Sequence, residues 1–366
     1  MERVKWGVIG LGWFGEKHCE ALSGLPHVEL HALCTRTEAR LGELAGRFHV
    51  GRVYRDFREM LADPELQVVS IVTMWDQHTA PALAALEAGK HVYCEKPIAG
   101  TYTDGKAMVE AAKKTGRMLS IQLGTLFSMP TKATLRLIEA GYLGKLYYAK
   151  AVGYRRRNRP YVDGYGTSSF VQKSIAAGGA VYDMAVYHIA QMLYLLGNPA
   201  IETVSGATHQ EIDMYEDRRK SGKYDVEELA VGFVRLAGGI SFFLEESWAM
   251  NMGGPHGSEL YGSKGGVRLS PFSFHSTVAD MEMDGTFELD GANTRWHRCI
   301  ENTDAYDGPQ PHWVAALQGR VPLIDTAGIA LATMKISEGV FLSQKLRREV
   351  TESEIEKESK SLAVKL

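Results

Sequence analysis

Cysteine is scarce in this chain, and its cysteines are never paired at short spacing. The four that occur among 366 residues are Cys19, Cys34, Cys94 and Cys299. Because there is no C-x-x-C pair, the pattern favours neither a disulfide framework nor a cysteine zinc site, and we predict no metal. Scattered single cysteines are typical of a reducing compartment, so the expected location is the cytoplasm.

Long apolar runs and an excess of one charge are missing too. No stretch approaches the roughly 18 apolar residues that cross a bilayer, and the apolar part of the N-terminus is too short for a secretory signal. The formal net charge of −3 argues against nucleic acid and against an anionic membrane surface as partners. With 366 residues, 45% of them hydrophobic, the chain is expected to fold as two soluble domains.

The first part of the chain alternates short apolar runs with helix-like segments. The predicted strands are Val4–Ile9, Val28–Cys34, Val68–Thr73, His91–Cys94 and Met118–Gln122, and the predicted helices are Glu16–Ser23, Thr37–Phe48, Ala80–Ala88 and Thr103–Thr115. This alternation with short connections predicts a parallel, doubly wound α/β sheet over residues 1–123. The apolar runs lack period-two alternation, as expected of strands that are covered on both faces.

After Gly124 the pattern changes to longer strands and hairpin turns. The predicted strands are Lys145–Tyr154, Ile201–His209, Val226–Leu236, Gly239–Met250 and Glu259–Tyr261, and the predicted helices are Pro130–Ala140, Tyr182–Leu196, His312–Gln318 and Thr326–Leu346. The segment Ala237-Gly238-Gly239 is typical of a tight hairpin. We predict an α+β domain over residues 124–366 with a large, open, mostly antiparallel sheet. Its polar tail from Thr351 is expected to fray.

A glycine-rich turn follows the first predicted strand. The segment Gly10-Leu11-Gly12-Trp13-Phe14-Gly15 matches G-x-G-x-x-G and opens a helix, which is the context in which this motif binds a dinucleotide. Gly10 allows the tight turn, Gly12 lets the backbone approach a pyrophosphate, and Gly15 lets the helix pack closely on the strand. We therefore expect a Rossmann domain over residues 1–123, in which Gly10, Gly12, Trp13, Phe14 and Gly15 contact the cofactor.

The residues after the second predicted strand are expected to contact the adenosine ribose. Enzymes that use NAD usually have Asp or Glu at this position, whereas this chain has Thr35 and Arg36. The threonine can form a hydrogen bond and the guanidinium can pair with a 2′-phosphate, which favours NADP. Two alternatives stay open: Arg36 is a solvated residue at a helix start, or Glu38 binds the ribose of NAD.

Residues at the ends of the other strands are expected to complete the cofactor site: Thr73, Trp75, His78, Glu95, Lys96 and Gln122. For Trp75 a packing role is the alternative, because an aromatic residue there more often packs than binds. Lys96 is the most informative of them, because Pro97 holds it in extended geometry just beyond a buried strand. Oxidation of an alcohol requires a group that polarises the hydroxyl or removes its proton, and a lysine beside the nicotinamide would serve. The alternative is a surface lysine in a turn, which is where most lysines lie.

Together these segments resemble the glucose-fructose oxidoreductase / inositol dehydrogenase / MocA-like (Gfo/Idh/MocA) family. The residues that carry the resemblance are GLGWFG from Gly10, His78, AGKHVYCEKPIA around Lys96 and GGAVYDMAVYH around Asp183. The resemblance covers nearly the whole chain. It implies a Rossmann domain, a second α/β domain whose open sheet joins subunits into a homodimer or homotetramer, and an NAD(P)-dependent enzyme that acts on sugars, inositols or related alcohols.

The resemblance also implies a catalytic set of Lys96, Asp183 and Tyr187, in which Tyr187 stands where many members have histidine. In a regular helix Tyr187 lies about 40° round from Asp183, while His188 lies about 140° away. His188 reaches the same face only if the helix starts irregularly. It remains the rival proton-transfer residue because histidine titrates near neutral pH, and its other interpretation is a core histidine with satisfied hydrogen bonds.

Candidate substrate contacts are Lys96, Tyr154, Arg155, Asp183 and Tyr187, with Trp248 and His256 as further possibilities. Tyr154 and Arg155 begin a basic run to Arg159, which either faces a polyhydroxylated or anionic substrate or is a solvated or subunit-pairing stretch.

Three functions are compatible with the pattern. The first is a sugar or polyol dehydrogenase or reductase, and the second is a glycoside hydrolase that oxidises the sugar transiently with a retained NAD. The third is a dinucleotide sensor without activity, and the proton-transfer set argues against it.

Overall fold

The computed structural model describes residues 3–253 and 256–364. These residues form two compact units. The first contains the described residues up to Gln122, the segment Asp304–Leu331 and the described residues from Lys360, and the second contains Leu123–Thr303 and Ala332–Ser359. We predicted a single domain boundary after residue 123. The structure differs from that prediction, because the late segment Asp304–Leu331 packs within the first unit.

The first unit is built on the parallel sheet that the sequence predicts. Its six strands in the described residues are β1 (Val4–Ile9), β2 (Val28–Cys34), β3 (Arg52–Tyr54), β4 (Val68–Ile71), β5 (His91–Cys94) and β6 (Leu119–Ile121). Their order is β3-β2-β1-β4-β5-β6, and all neighbours are parallel. β4 is buried along its whole length, as a strand inside a parallel sheet requires. The predicted doubly wound α/β fold is confirmed.

Helices alternate with these strands. They are α1 (Trp13–Ser23), α2 (Glu38–Phe48), α3 (Phe57–Leu61), α4 (Thr79–Glu87) and α5 (Tyr102–Thr115). Local chemistry sets their ends. The Arg58 backbone N–H donates to the Asp56 side chain at the start of α3, and α5 ends where Gly116 adopts a φ of 65°.

Aromatic side chains fill the core of the first unit. Trp6, Tyr93 and Trp313 are fully buried, and their ring centroids lie between 5.1 and 5.6 Å apart. Such tilted and edge-to-face contacts stabilise a core beyond the area that they bury. Trp313 belongs to the late segment, so that segment supplies part of this core.

The second unit contains the large, mostly antiparallel sheet that the sequence predicts. Its strands in the described residues are β7 (Leu146–Tyr154), β8 (Ile201–His209), β9 (Leu229–Leu236), β10 (Ile240–Ser247), β11 (Glu259–Gly262), β12 (Gly265–Leu269), β13 (Phe272–Val278), β14 (Met281–Gly285) and β15 (Val350–Thr351). Their order is β14-β13-β12-β11-β7-β10-β9-β8-β15, and β7 and β10 are parallel. In the predicted hairpin between β9 and β10, Gly238 and Gly239 adopt φ values of 81° and 75°, which glycine tolerates without strain.

The later helices complete the fold. They are α6 (Met129–Glu139), α7 (Lys173–Ala176), α8 (Ala180–Asp183), α9 (Ala185–Leu195), α10 (Glu216–Gly222), α11 (Leu289–Cys299), α12 (Pro309–Leu317), α13 (Thr326–Leu346) and α14 (Glu352–Glu358). The single helix predicted over Tyr182–Leu196 is thus two helices, α8 and α9, with Met184 between them. In the described part of the chain, no helix has the length and apolar content that a membrane crossing needs.

The tail after Thr351 does not fray over its described residues. α14 begins with a capping box, in which Thr351 and Glu354 each accept a hydrogen bond from the other's backbone N–H. Asp104 accepts further hydrogen bonds from the Ser361 hydroxyl at 2.5 Å and from the Leu362 N–H at 2.9 Å. The prediction that this tail frays was therefore wrong. The polar composition of the segment after Thr351 suggested disorder, but these hydrogen bonds hold its described residues in place.

Candidate active site

The candidate cofactor residues lie at one edge of the first sheet. They follow the carboxyl ends of β1, β2, β4, β5 and β6, which meet at the same edge because the strands are parallel. Open α/β sheets bind ligands at this edge, where the strand order reverses, and here the reversal falls between β1 and β4.

The glycine loop between β1 and α1 has the geometry of a dinucleotide cradle. Gly10 adopts a φ of 92°, and a Cβ there would lie 2.5 Å from the Val72 carbonyl oxygen. A Cβ at Gly15 would overlap the Gly10 carbonyl oxygen, whereas a Cβ at Gly12 would meet nothing within 4 Å. No side chain caps the first turn of α1. An open position at an uncapped helix N-terminus fits the close approach of a pyrophosphate.

Two large aromatic residues flank this cradle in the first turn of α1. Trp13 is 68% exposed and Phe14 is 45% exposed, and their ring centroids are 4.8 Å apart. Exposed aromatic side chains grouped together often mark a binding surface, and both are among the predicted cofactor contacts.

Thr35 and Arg36 follow β2 at the same edge. Arg36 is exposed, and its guanidinium lies 3.4 Å from the side-chain oxygen of Gln77. Glu38, the alternative ribose ligand, is exposed and lies 3.6 Å from Arg55. Arg36 therefore presents a solvent-facing cation beside the loop after β4, which is compatible with the predicted contact to a 2′-phosphate.

A buried histidine joins the loop after β4 to the turn after β5. His78 is fully buried, and its ring nitrogens lie 3.0 Å from the Pro97 carbonyl oxygen and 3.1 Å from that of Thr73. Burial lowers the pKa of His78 and so favours the neutral ring, which has one N–H and can donate to only one of these two carbonyl oxygens. Trp75 is only 4% exposed. These two residues therefore support the loops, and direct cofactor contact by them stays a prediction.

Glu95 and Lys96 follow β5 and are nearly buried, at 7% and 9% exposure. One carboxylate oxygen of Glu95 lies 2.9 Å from His18 Nε2, and the other accepts the Lys96 backbone N–H at 3.1 Å. Gln122, after β6, accepts a hydrogen bond from the Tyr93 hydroxyl. Glu95 and Gln122 are therefore hydrogen-bonded within the first unit, to His18 and Tyr93 respectively. The backbone N–H of Lys96 is held by the Glu95 side chain.

A break between helices positions the candidate residues of the second unit. Asp183 ends α8, while Tyr187 and His188 lie in the first turn of α9. The sequence estimate of about 40° between Asp183 and Tyr187 assumes a continuous helix, and Met184 interrupts it. Asp183 is buried and accepts a hydrogen bond from Trp248 Nε1 at 3.2 Å. Trp248 is itself fully buried, so it holds Asp183 and offers no surface to a substrate.

His188 has a buried carboxylate partner that the sequence did not indicate. Its Nδ1 lies 2.6 Å from the carboxylate of Glu246, which is 1% exposed. Burial lowers the pKa of His188, but Glu246 raises it more, and the net shift is upward. Burial raises the pKa of Glu246. Gly153, which pairs with Glu246 in the sheet, leaves room for the ring, since a Cβ there would lie 2.6 Å from His188 Nδ1.

Tyr154 and Arg155 lie at the end of β7 and are half-buried. The Arg155 guanidinium donates to the Tyr165 hydroxyl at 2.6 Å and lies 2.9 Å from the sulfur of Met184. The ring of Tyr154 packs edge-on against His256, with centroids 4.2 Å apart. Arg155 thus lies beside the break that separates α8 from α9.

The basic run ends differently from how it begins. Arg159 is fully buried and forms ion pairs with Asp163 at 2.9 Å and with Glu228 at 2.8 Å. This arginine therefore anchors the fold, and neither a substrate surface nor a solvated stretch describes the whole run.

A second buried carboxylate holds the start of α8. Glu227 accepts hydrogen bonds from the backbone N–H groups of Gly179 at 2.8 Å and Val181 at 3.0 Å. Burial raises the pKa of Glu227 to about 7. Because α8 is only one turn long, fixing its first residues also fixes Asp183 at its end.

Sequence reasoning missed four residues of this arrangement: His18, Gly153, Glu227 and Glu246. Glu246 lies inside β10 and Glu227 inside the predicted strand Val226–Leu236. Both offered a signal, because an acidic residue inside an apolar strand is costly unless it is paired. His18 follows Gly15 on the first helix and carries no motif that announces its partner.

Two family models match the chain in comparisons with known proteins. Residues 4–123 match a family model described as "Oxidoreductase family, NAD-binding Rossmann fold", and residues 131–268 match "GFO/IDH/MocA C-terminal domain". The D-glucoside 3-dehydrogenase of Escherichia coli (strain K12) is 29% identical over 255 residues, which cover 68% of this chain and 71% of the relative. The myo-inositol 2-dehydrogenase of Thermotoga maritima is 27% identical over 264 residues, which cover 72% and 74%.

Solved structures share the fold over nearly the whole chain. A levoglucosan dehydrogenase in complex with NADH and levoglucosan has a TM-score of 0.76 at 22% identity, and the match covers 96% of this chain and 99% of that one. At 22% identity, this likeness shows that the two proteins share a fold.

Proposed function

This chain belongs to the Gfo/Idh/MocA oxidoreductase family, and on that basis we propose that it transfers a hydride between NAD(P) and a secondary alcohol or ketone of a sugar, glycoside or inositol. The glycine cradle at Gly12 carries the proposal, because it lies uncapped at the same sheet edge as the Lys96 turn. The names of the relatives, which act on a D-glucoside and on myo-inositol, support the substrate class.

The chemistry requires one proton to move. The nicotinamide supplies a hydride acceptor for oxidation and a hydride donor for reduction. During oxidation the alcohol loses a hydride from carbon and a proton from oxygen, so side chains must polarise the hydroxyl and accept that proton. We assign the polarisation to Lys96 and the proton acceptance to Tyr187. Asp183, which Trp248 holds by a hydrogen bond, is assigned to orient substrate hydroxyls.

His188 is assigned a supporting role. Its Nδ1 is engaged by Glu246, and its ring occupies the space that Gly153 leaves on β7. In this role it ties the first turn of α9 to the sheet and fixes the backbone of the adjacent Tyr187. The rival assignment, in which His188 accepts the proton, is decided by the variants described below.

Tyr154 and Arg155 are assigned to the substrate. Both are half-buried at the end of β7, and Arg155 lies beside Met184 between the helices that carry Asp183 and Tyr187. A guanidinium and a phenol can each donate hydrogen bonds to sugar oxygens.

The choice between NAD and NADP and the oligomeric state are each inferred from individual residues. Arg36 supports a preference for NADP, since the guanidinium suits a 2′-phosphate. A homodimer or homotetramer through the second sheet is supported by Phe233 and Phe243, a directly paired and half-buried couple on β9 and β10. The cytoplasmic location stays a prediction.

The test is nucleotide binding followed by turnover. We would titrate the purified protein with NAD+ and NADP+ by intrinsic fluorescence, then follow nicotinamide absorbance with a panel of sugars, glycosides and inositols. Turnover is expected with at least one of them, and Lys96→Met and Tyr187→Phe should each lower kcat by roughly 100-fold or more, in line with general acid–base catalysis. Lys113→Met, a change at an exposed lysine of α5, is the matched control.

Other outcomes point elsewhere. Loss of kcat in His188→Gln with normal Tyr187→Phe would move the proton transfer to His188. Cleavage of a glycoside without net NAD(P)H would indicate the redox hydrolase. Nucleotide binding without any turnover or cleavage would indicate the sensor, and failure to bind either nucleotide would refute the proposal.

A further inference from the structure

A buried chain of polar groups runs through the first unit from its core to the Lys96 turn. The indole N–H of Trp6 donates to the Ser70 hydroxyl at 2.9 Å. The His18 ring bridges the next gap, with Nδ1 3.3 Å from Ser70 and Nε2 2.9 Å from Glu95. The Lys96 backbone N–H completes the chain by donating to Glu95 at 3.1 Å.

The donors and acceptors along this chain can all be satisfied in a single arrangement. The indole of Trp6 is only a donor, so the Ser70 oxygen accepts from it and the Ser70 hydrogen is available to His18 Nδ1. With Nδ1 accepting from Ser70, His18 Nε2 carries the hydrogen that is donated to Glu95. Trp6, Ser70 and His18 are at most 3% exposed and Glu95 is 7% exposed, so water does not compete with these bonds.

The chain links two parts of the cofactor edge. His18 lies on α1, whose first turn follows the cradle at Gly12, and Glu95 immediately precedes Lys96. We propose that His18 is a positioning residue, which holds Glu95 and through it the Lys96 peptide in a fixed place relative to the dinucleotide helix. This inference rests on the proposed function only for the effect on catalysis, because that function assigns Lys96 a part in the reaction.

The same unit contains a matched pair that makes the proposal testable. His31 is also a buried histidine, and its Nε2 lies 3.0 Å from the buried carboxylate of Asp63. Its ring bonds to Asp63 and Glu29, and none of these three residues belongs to the loops at the carboxyl edge. Removing His31 therefore costs a comparable buried contact without touching the Lys96 turn.

The experiment compares His18→Leu, His18→Gln and His31→Leu in the full-length protein. Trace acetylation at a series of pH values, read by mass spectrometry, gives the labelling rate of Lys96 relative to the other lysines and needs no substrate. Melting temperature, the Kd of NAD(P)+ and, where turnover is found, kcat and its pH profile are measured in parallel.

We expect His18→Leu to raise Lys96 labelling several-fold and to lower kcat, by up to roughly 100-fold for a displacement near 1 Å. His31→Leu should lower the melting temperature by about as much as His18→Leu does, and it should leave the labelling of Lys96 and kcat unchanged. His18→Gln should restore most of the wild-type behaviour, because its amide can donate to Glu95 in place of Nε2.

Unchanged Lys96 labelling in His18→Leu would overturn the proposal, and so would an equal change in His31→Leu. If His18→Leu does not fold, Ser70→Ala decides, since it removes the donor to His18 Nδ1 and should alter Lys96 labelling and its pH dependence. If no substrate is ever found, the labelling result still stands, so this inference and the proposed function fail separately.

Discussion

Gly12→Ala separates a glycine required by the fold from one required by a ligand. Gly12 has an ordinary φ of −69°, and the added methyl group would meet nothing within 4 Å. The loss of a favourable N-cap costs about 1 kcal/mol, and the reduced freedom of the unfolded chain returns about 0.4–1 kcal/mol. The free energy of unfolding should therefore change by less than about 1 kcal/mol.

The affinity for the cofactor should change far more. A methyl group at Gly12 occupies the space through which the pyrophosphate approaches the N–H groups of α1. Each charge-assisted hydrogen bond lost costs about 1.5–3 kcal/mol, so the Kd of NAD(P)+ should rise by roughly tenfold to 100-fold or more. Trp13, which is 68% exposed beside this position, serves as the fluorescent reporter.

The control is Gly42→Ala. Gly42 is an exposed residue of α2 at which an added Cβ also meets nothing within 4 Å. This change should stabilise the helix slightly and leave the Kd unchanged. An unaltered Kd in Gly12→Ala would refute the assignment of the glycine loop to a dinucleotide, and a large loss of melting temperature would show that Gly12 serves the fold.

Three further changes test other parts of the structure. Gly153→Ala should destabilise the protein by about 1–3 kcal/mol, because the methyl group collides with His188 and Glu246; an unchanged melting temperature would contradict this packing. Arg36→Ala should raise the Kd of NADP+ at least roughly tenfold and leave that of NAD+ unchanged, whereas equal effects in the two titrations would remove the case for NADP. Burial raises the pKa of Glu227 from 4.5 to about 7, so its contribution to stability is fully present below pH 4.5 and is lost as the pH rises through about 7. Glu227→Gln should flatten the dependence of melting temperature on pH across this range, and an unchanged slope would argue against the shift.

The elements that sequence predicted best are those whose pattern is local. The bounds of β1, β2, β5, β8 and α13 match the structure, because each is an apolar or periodic run with turn residues at its ends. β12, β13 and β14 were not predicted, since glycines, Pro271 and many half-exposed residues obscure their alternation. The break at Met184 was also missed, because neither glycine nor proline marks it.

The candidate site likewise has a part that sequence could predict and a part that it could not. Parallel strands bring their carboxyl ends together by topology, so the loops at Gly10, Arg36 and Lys96 could be placed at one edge from sequence alone. The pairing of His188 with Glu246 joins residues 58 positions apart, and that of Trp248 with Asp183 spans 65. Such contacts depend on the register of strands in the second sheet, which the local pattern of residues does not fix.

The aromatic cluster of the first unit has a consequence for how the protein is made. Trp313, on which Trp6 packs, leaves the ribosome about 300 residues after Trp6, which is a delay on the order of 15 to 60 s at ordinary rates of translation. Until then the nascent Rossmann sheet lacks part of its core and keeps an apolar surface exposed. A chaperone that binds nascent chains should therefore stay on this polypeptide until α12 has emerged, and a fragment cut after residue 123 should be insoluble when expressed alone.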